Sequence, residues 1–152
     1  MELSRDAIEH LLGTWPVARL ATLRADGSPA LVPVVFAWSA GRLWLPVDGK
    51  PKRGRELARL ANIRRDPRAA LLLDQYESDW SGLWWLRVDG RAEAVGAGEP
   101  GFEAALAAIA KKYPQYAQVP LLQPGMPPTL IAVAQGRITS WAASDDVVDF
   151  LG

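Results

Sequence analysis

The chain has no cysteine and a single histidine, His10, among its 152 residues. The first absence excludes disulfides, thiolate nucleophiles and Cys-held zinc or iron–sulfur sites, and it suits a reducing cytoplasm. The second leaves a Ser-His-Asp triad with one available base, and there is no Gly-x-Ser-x-Gly elbow to accompany it. His10 reads as a surface or interface residue of the first helical segment. No His, Asp or Glu cluster has metal-ligand spacing, and Asp145, Asp146 and Asp149 read as a solvated acidic stretch. No metal is expected. Net charge is absent too: 17 Lys and Arg balance 17 Asp and Glu, so no general nucleic-acid footprint is expected. The charged start Met1–Asp6 leads into no long apolar run. Neither a signal peptide nor a membrane span is therefore expected, and the expected location is the cytoplasm.

What is present is a large apolar fraction, 49% of the residues. A chain of this length is expected to form one domain over residues 1–152, burying roughly 70% of its unfolded surface. Ser4 caps a first helix with Ile8, Leu11 and Leu12 on one face and Gly13 as its stop. Val17–Leu23 is a half-buried strand, and Asp26-Gly27-Ser28-Pro29 is a turn. Ala30–Trp38 is apolar and β-branched, so it reads as a strand covered on both faces. Pro33 within it marks a bulge or an edge. Leu43–Val47 is the next strand, and the three runs are expected to be antiparallel neighbours. A helix then ends near Arg65, stopped by Asp66-Pro67.

Arg68–Asp74 is a strand, Tyr76–Gly82 a polar loop, and Leu83–Ala94 a strand with a kink at Asp89-Gly90. Glu99-Pro100-Gly101 opens an Ala-rich helix to Lys112. Tyr113–Pro128 is an irregular loop with five prolines. Leu130–Ala134 and Arg137–Trp141 read as a closing hairpin turned at Gln135-Gly136. Short connections dominate, which points to an antiparallel barrel with helices packed at its ends.

The chemistry is expected around Leu43–Arg68. A strand breaks at Asp48-Gly49 and passes through Lys50-Pro51-Lys52-Arg53-Gly54-Arg55 into a helix. Eight of the 17 Lys and Arg residues lie between positions 50 and 68, with two acids among them. A basic turn before a helix start suits an anion, since the helix N-terminus adds its free N–H groups and dipole. The same residues also describe a solvated basic face. Arg55 and Arg59 fall together, four residues apart. No acid–base dyad is visible, so a reaction here would use a cofactor's chemistry. Of seven tryptophans, most read as core or subunit interface. Trp80, in a polar loop beside Ser81, could stack on a planar ligand, and Trp141 ends the last strand near a possible cleft.

The pattern Ala18-Arg19-Leu20-Ala21-Thr22-Leu23, Asp26-Gly27-Ser28-Pro29, Val32-Pro33-Val34-Val35-Phe36 resembles the opening of the pyridoxamine 5′-phosphate oxidase-like flavoproteins. So do the basic turn and Asn62-Ile63-Arg64-Arg65-Asp66-Pro67-Arg68-Ala69. Within that superfamily the chain is most similar to the branch using the deazaflavin coenzyme F420 rather than FMN, including its closing Ile138-Thr139-Ser140-Trp141. The resemblance spans nearly the whole chain and rests on several motifs in order, none decisive alone.

It implies a mainly β fold, a six- to seven-stranded antiparallel split β-barrel like that of FMN-binding proteins, with flanking helices. It implies a homodimer with two cofactor sites at its interface and a small-molecule substrate. The phosphate-binding positions match Lys52 and Arg53, with Lys50 and Arg55 close by. The ring system is expected along Val34, Val35, Pro46 and Val47, covered by Trp80 and Ser81 of the partner. The Arg-x-His substrate motif of the pyridoxamine phosphate oxidases proper is missing. The expected activity is hydride transfer from reduced F420 to an unsaturated organic substrate. An FMN-dependent enzyme and a non-catalytic cofactor-binding protein are the alternatives. No catalytic residue is assigned. Proton donors, if the reaction needs one, are water or the hydroxyls of Tyr76, Ser81 and Tyr113.

Overall fold

The computed structural model describes residues 1–47, 58–122 and 124–147. Helix α1 spans Arg5–Thr14, and the Ser4 hydroxyl accepts a hydrogen bond from the Ala7 N–H at 3.1 Å. Ala7, Leu11 and Leu12 are its buried face. The expected stop at Gly13 is corrected, because the helix runs through it and Trp15 N–H still donates to Leu11 O at 2.9 Å. What ends α1 is Pro16. It drives Trp15 to extended geometry, φ −65° and ψ 132°.

Among the described residues seven strands follow: β1 Ala18–Leu23, β2 Pro29–Val34, β3 Ala37–Ser39, β4 Arg42–Pro46, β5 Arg68–Gln75, β6 Trp84–Gly96 and β7 Thr129–Ala142. Helix α2, Ala58–Arg65, precedes β5, and α3, Phe102–Lys112, lies between β6 and β7. All pairings are antiparallel, in the order β2-β1-β5-β6-β7-β4-β3. Strands β2 and β3 are consecutive in sequence yet form opposite edges. Only Val35 and Phe36 join them, a link that spans at most about 11 Å. The sheet must therefore curl until its edges nearly meet, although among the described residues no ladder closes the seam. This is the expected split barrel.

Three expectations are corrected. Ala30–Trp38 is two strands, and β2 is not covered on both faces: its residues alternate, and Leu31 is 70% exposed. Pro29 and Pro33 cannot donate to a second ladder, so an edge position suits β2. Leu43–Val47 is not a neighbour of β2; β4 pairs with β3 and β7 on the far side. The closing hairpin does not exist either. Strand β7 is one continuous strand of 14 residues. Gln135-Gly136 sits at a bulge, where the register slips from Asp89↔Arg137 to Gly90↔Gln135. A Cβ on Gly90 would lie 2.1 Å from the Ala134 carbonyl oxygen, so this close approach requires glycine. The kink expected at Asp89-Gly90 is this bulge.

The core has two parts. The barrel interior holds Leu20, Leu43, Leu45, Leu71, Leu73, Leu86 and Ile131, with Phe36 among them. The second part holds Trp44, Phe102, Ile109, Tyr113 and Leu130 beneath α3. Strand β4 is buried on both sides because Leu43 and Leu45 point inward while Trp44 points to α3. Among the described residues no helix is long and apolar enough to cross a membrane.

Gly13 lies in a helix, and a Cβ there would meet nothing within 4 Å. Gly13→Ala should therefore raise stability by about 0.5–1 kcal/mol. Gly90→Ala should lower it by at least about 2 kcal/mol, because the backbones of β6 and β7 would have to part. Urea denaturation of the two variants checks the pair; equal effects would contradict the bulge.

Candidate functional site

Val17, Pro33, Val34, Val35 and Arg59 surround a shallow hollow of about 200 Å³. Its walls come from the entry to β1, the end of β2 and the first turn of α2. Val34 is buried and Val35 half-buried. Pro46 and Val47 are both buried. Of the four residues expected to carry a ring system, Val34 and Val35 line this hollow and Pro46 and Val47 do not. Lys50, Lys52, Arg53 and Arg55 lie outside the described residues. Arg59, shortly after them in sequence, lines the hollow.

Arg59 is set in place by the anchoring of α2 to β1. Asn62 is buried, 6% exposed, and its side-chain amide donates to the Thr22 hydroxyl at 3.2 Å. Arg65 donates to Asn62 Oδ1 at 3.3 Å and to the Leu23 carbonyl at 3.4 Å. A buried amide satisfied in this way fixes the helix in rotation, since apolar packing alone allows sliding.

A second cluster adjoins the hollow. The Tyr113 hydroxyl accepts from the Phe36 N–H at 3.1 Å and lies 2.9 Å from the carbonyl oxygens of both Pro16 and Phe36. Lys112 Nζ donates to the Phe36 carbonyl at 2.9 Å and sits 3.7 Å from the centroid of the Phe36 ring. Burial lowers the Lys112 pKa to about 8. Burial raises the Tyr113 phenol above its usual value, partly offset by the hydrogen bond from Phe36. The sequence reading missed Lys112, because a lysine in the last turn of a helix looks like a solvated C-terminal charge. Tyr113, considered there as a proton donor, instead holds backbone.

The other expected residues lie elsewhere. Trp80 is 70% exposed on a 3-10 turn, Trp80–Gly82. Ser81 borders a different hollow of about 240 Å³ with Gln75, Trp84 and Asp146. Its hydroxyl donates to Asp79 Oδ1 at 2.6 Å. That bond and the Ser81 N–H hold the Asp79 carboxyl below its usual range. Tyr76 is 74% exposed. His10 is exposed on α1. Trp141 is 41% exposed and pairs with Trp85 across the β6–β7 ladder. Within one chain, Trp80, Ser81 and Trp141 do not line the Val34–Val35 hollow.

The outer face of the sheet is mostly apolar along β2, β1 and β5 and mixed along β6 and β7. The registers align Leu31, Ala21 and Ala70 in one row and Pro33, Arg19 and Leu72 in the next. Charges on this face include the pairs Arg19–Asp74 at 2.9 Å and Arg87–Asp89 at 3.0 Å, and the exposed Arg137 lies across the ladder from Asp89.

A family model described as pyridoxamine 5′-phosphate oxidase matches residues 4–141. The chain belongs to the pyridoxamine 5′-phosphate oxidase family. No curated protein matches it. Its fold is similar to that of an FAD-binding protein from Mesorhizobium loti. The two are 20% identical over 92% of this chain and 95% of that one, with a TM-score of 0.65. The heme storage protein HutZ from Vibrio cholerae is 14% identical over 93% of this chain and 95% of its own, with a TM-score of 0.68. An F420 reductase is 23% identical over 86% of this chain and 94% of its own, with a TM-score of 0.59. The architecture is thus the flavin-binding split barrel of the pyridoxamine 5′-phosphate oxidase family.

Lys112 gives a stability signature. Its folded pKa, about 8, lies below the ordinary lysine value of 10.5 that holds in the unfolded chain. Between these values the unfolded chain binds more protons than the folded one, so this residue makes stability rise with pH. Below pH 8 both states are charged and the cost of partly burying the ammonium is fully present. Wild type should therefore gain stability from pH 8 to 10, and Lys112→Met should lack that rise. Urea midpoints at intervals across this window check it; parallel curves would contradict it.

Proposed function

We propose that the chain is an oxidoreductase that uses the deazaflavin coenzyme F420 to reduce an unsaturated organic substrate, acting as a cytoplasmic homodimer. The observation that carries this reading is the hollow at Val34 and Val35, apolar on three sides and bordered by a guanidinium. Apolar walls suit the face of a planar ring. Arg59 and the neighbouring run Lys50, Lys52, Arg53 and Arg55 suit a phosphate and an acidic tail. This fits a phosphorylated flavin or deazaflavin on chemical grounds. The long run of cations favours the deazaflavin with its oligoglutamate tail, and FMN is the alternative.

The size of the hollow argues for a partner. About 200 Å³ falls below the roughly 300 Å³ of the smallest ordinary ligand pockets. One chain then offers one wall, and a second copy supplies the other. The apolar strip of the outer face, from Leu31 and Pro33 to Ala70 and Leu72, suits such contact. In the dimer, Trp80 and Ser81 of the partner would cover the ring.

The chemistry supplied by the bound cofactor is two-electron hydride transfer. The residues of this chain bind and orient. The valines and Pro46 would hold one ring face, the basic residues the anionic end, and closure by the partner would exclude water. The proton that completes a reduction would come from water or the exposed Tyr76 hydroxyl, since the Ser81 and Tyr113 hydroxyls are already engaged.

Titration of the purified protein with F420, FMN and heme, followed by tryptophan quenching, tests the reading. F420 should bind tightest; preferential binding of heme would overturn it. Lys52→Ala, Arg53→Ala and Arg59→Ala should each weaken F420 binding by about tenfold, the loss of one charge-assisted contact. Arg24→Ala, in the first hairpin, should not. Reduced F420 with the protein alone should show no steady oxygen uptake. Rapid uptake with hydrogen peroxide in proportion would indicate the FMN oxidase alternative.

A further inference from the structure

We propose that Lys112 and Tyr113 form a positioning pair that sets both valine walls of the hollow, Val35 through the backbone of Phe36 and Val17 through the carbonyl of Pro16. The assignment of a cofactor to that hollow rests on the function proposed above; the hydrogen-bond linkage does not.

Phe36 lies between β2 and β3, outside both strands, and is 0% exposed. Its N–H and carbonyl therefore need partners that no ladder supplies. Tyr113 stands 2.9 Å from two carbonyl oxygens, yet a phenol has one hydrogen. It can donate to Pro16 or to Phe36, not to both. Lys112 resolves the competition. Its ammonium serves the Phe36 carbonyl at 2.9 Å, which frees the phenol hydrogen for Pro16. The hydroxyl then accepts from Phe36 N–H and donates to Pro16, tying the two walls together.

Lysine is an expensive choice for a buried donor, since burial opposes its charge. The last turn of α3 offsets part of that through the helix dipole. The face of the Phe36 ring offsets more. The ionisable group facing the ammonium is the Tyr113 phenol, 5.3 Å away from ring centroid to Nζ. Without the ammonium, the Phe36 carbonyl would draw on the phenol hydrogen and Pro16 would lose its share. Lys112 thus acts on Val17 without touching it.

The peptide that carries the Pro16 carbonyl also carries the Val17 N–H, so the Val17 amide resonance reports the Pro16 hydrogen bond. The test is performed on the ligand-free full chain by nuclear magnetic resonance. Lys112→Met should shift the Val17 amide as well as that of Phe36, and Lys112→Arg, which keeps a donor, should restore both. In a Tyr113→Phe background the Lys112→Met change should no longer move Val17. In F420 titration, Lys112→Met should weaken binding at least fivefold while Lys112→Arg stays within twofold of wild type. A Val17 resonance indifferent to Lys112→Met would overturn the linkage. A Val17 shift with unchanged F420 affinity would overturn its role in the hollow. Failure of the wild type to bind F420 or FMN would sink the cofactor reading, leaving the resonance experiment to decide the linkage.

Discussion

The structure depends on a short tether. Val35 and Phe36 join strands that form opposite edges of a seven-stranded sheet, so the sheet must curl around its core. A tether this short has no internal ladder, and its buried backbone groups are satisfied from α3 by Lys112 and Tyr113. The helix is in turn held by Trp44 and Leu130 beneath it. The seam of the barrel, the docking of α3 and the walls of the hollow are therefore one connected arrangement. The candidate site lies at the seam because that is where backbone leaves the sheet and apolar side chains cannot all be covered.

The opposite side of the sheet obeys a different constraint. Strands β6 and β7 run side by side for most of their length, and the bulge at Asp89/Gly90 bends them so that one pair serves both core regions. Before the bulge, Trp85 and Trp141 face outward. After it, Val95 and Leu130 are buried beneath α3. The apolar strip across β2, β1 and β5, where Leu31 is 70% exposed, is suited to meeting a like surface. That requirement and the small size of the hollow point the same way.

Much of this was legible in the residues. Alternating apolar runs, Asp-Gly and Pro turns and the Ser4 cap gave the elements, and their order gave the family. The misreadings share a cause. Gln135-Gly136 looks like a turn and Gly13 like a helix stop, because glycine marks both chain reversal and close backbone approach. Only the partner strand distinguishes them. The split of Ala30–Trp38 was likewise hidden, since a crossover between sheet edges leaves no local signal beyond Pro33. In the site, the valines were placed by resemblance, and Val34 and Val35 line one hollow with Arg59. Asn62 and Lys112 were not foreseen, because a polar residue on a helix reads as solvated until its tertiary partners are known.

The central claim is that one chain carries an incomplete site. Cofactor affinity measured as a function of protein concentration tests it most directly. Binding only to the dimer requires the cofactor to stabilise the dimer by mass action. Apparent affinity for F420 should therefore fall as the protein is diluted into the monomer range, and added F420 should shift sedimentation back toward the dimer. Undiminished one-to-one binding by a monomer would contradict the account.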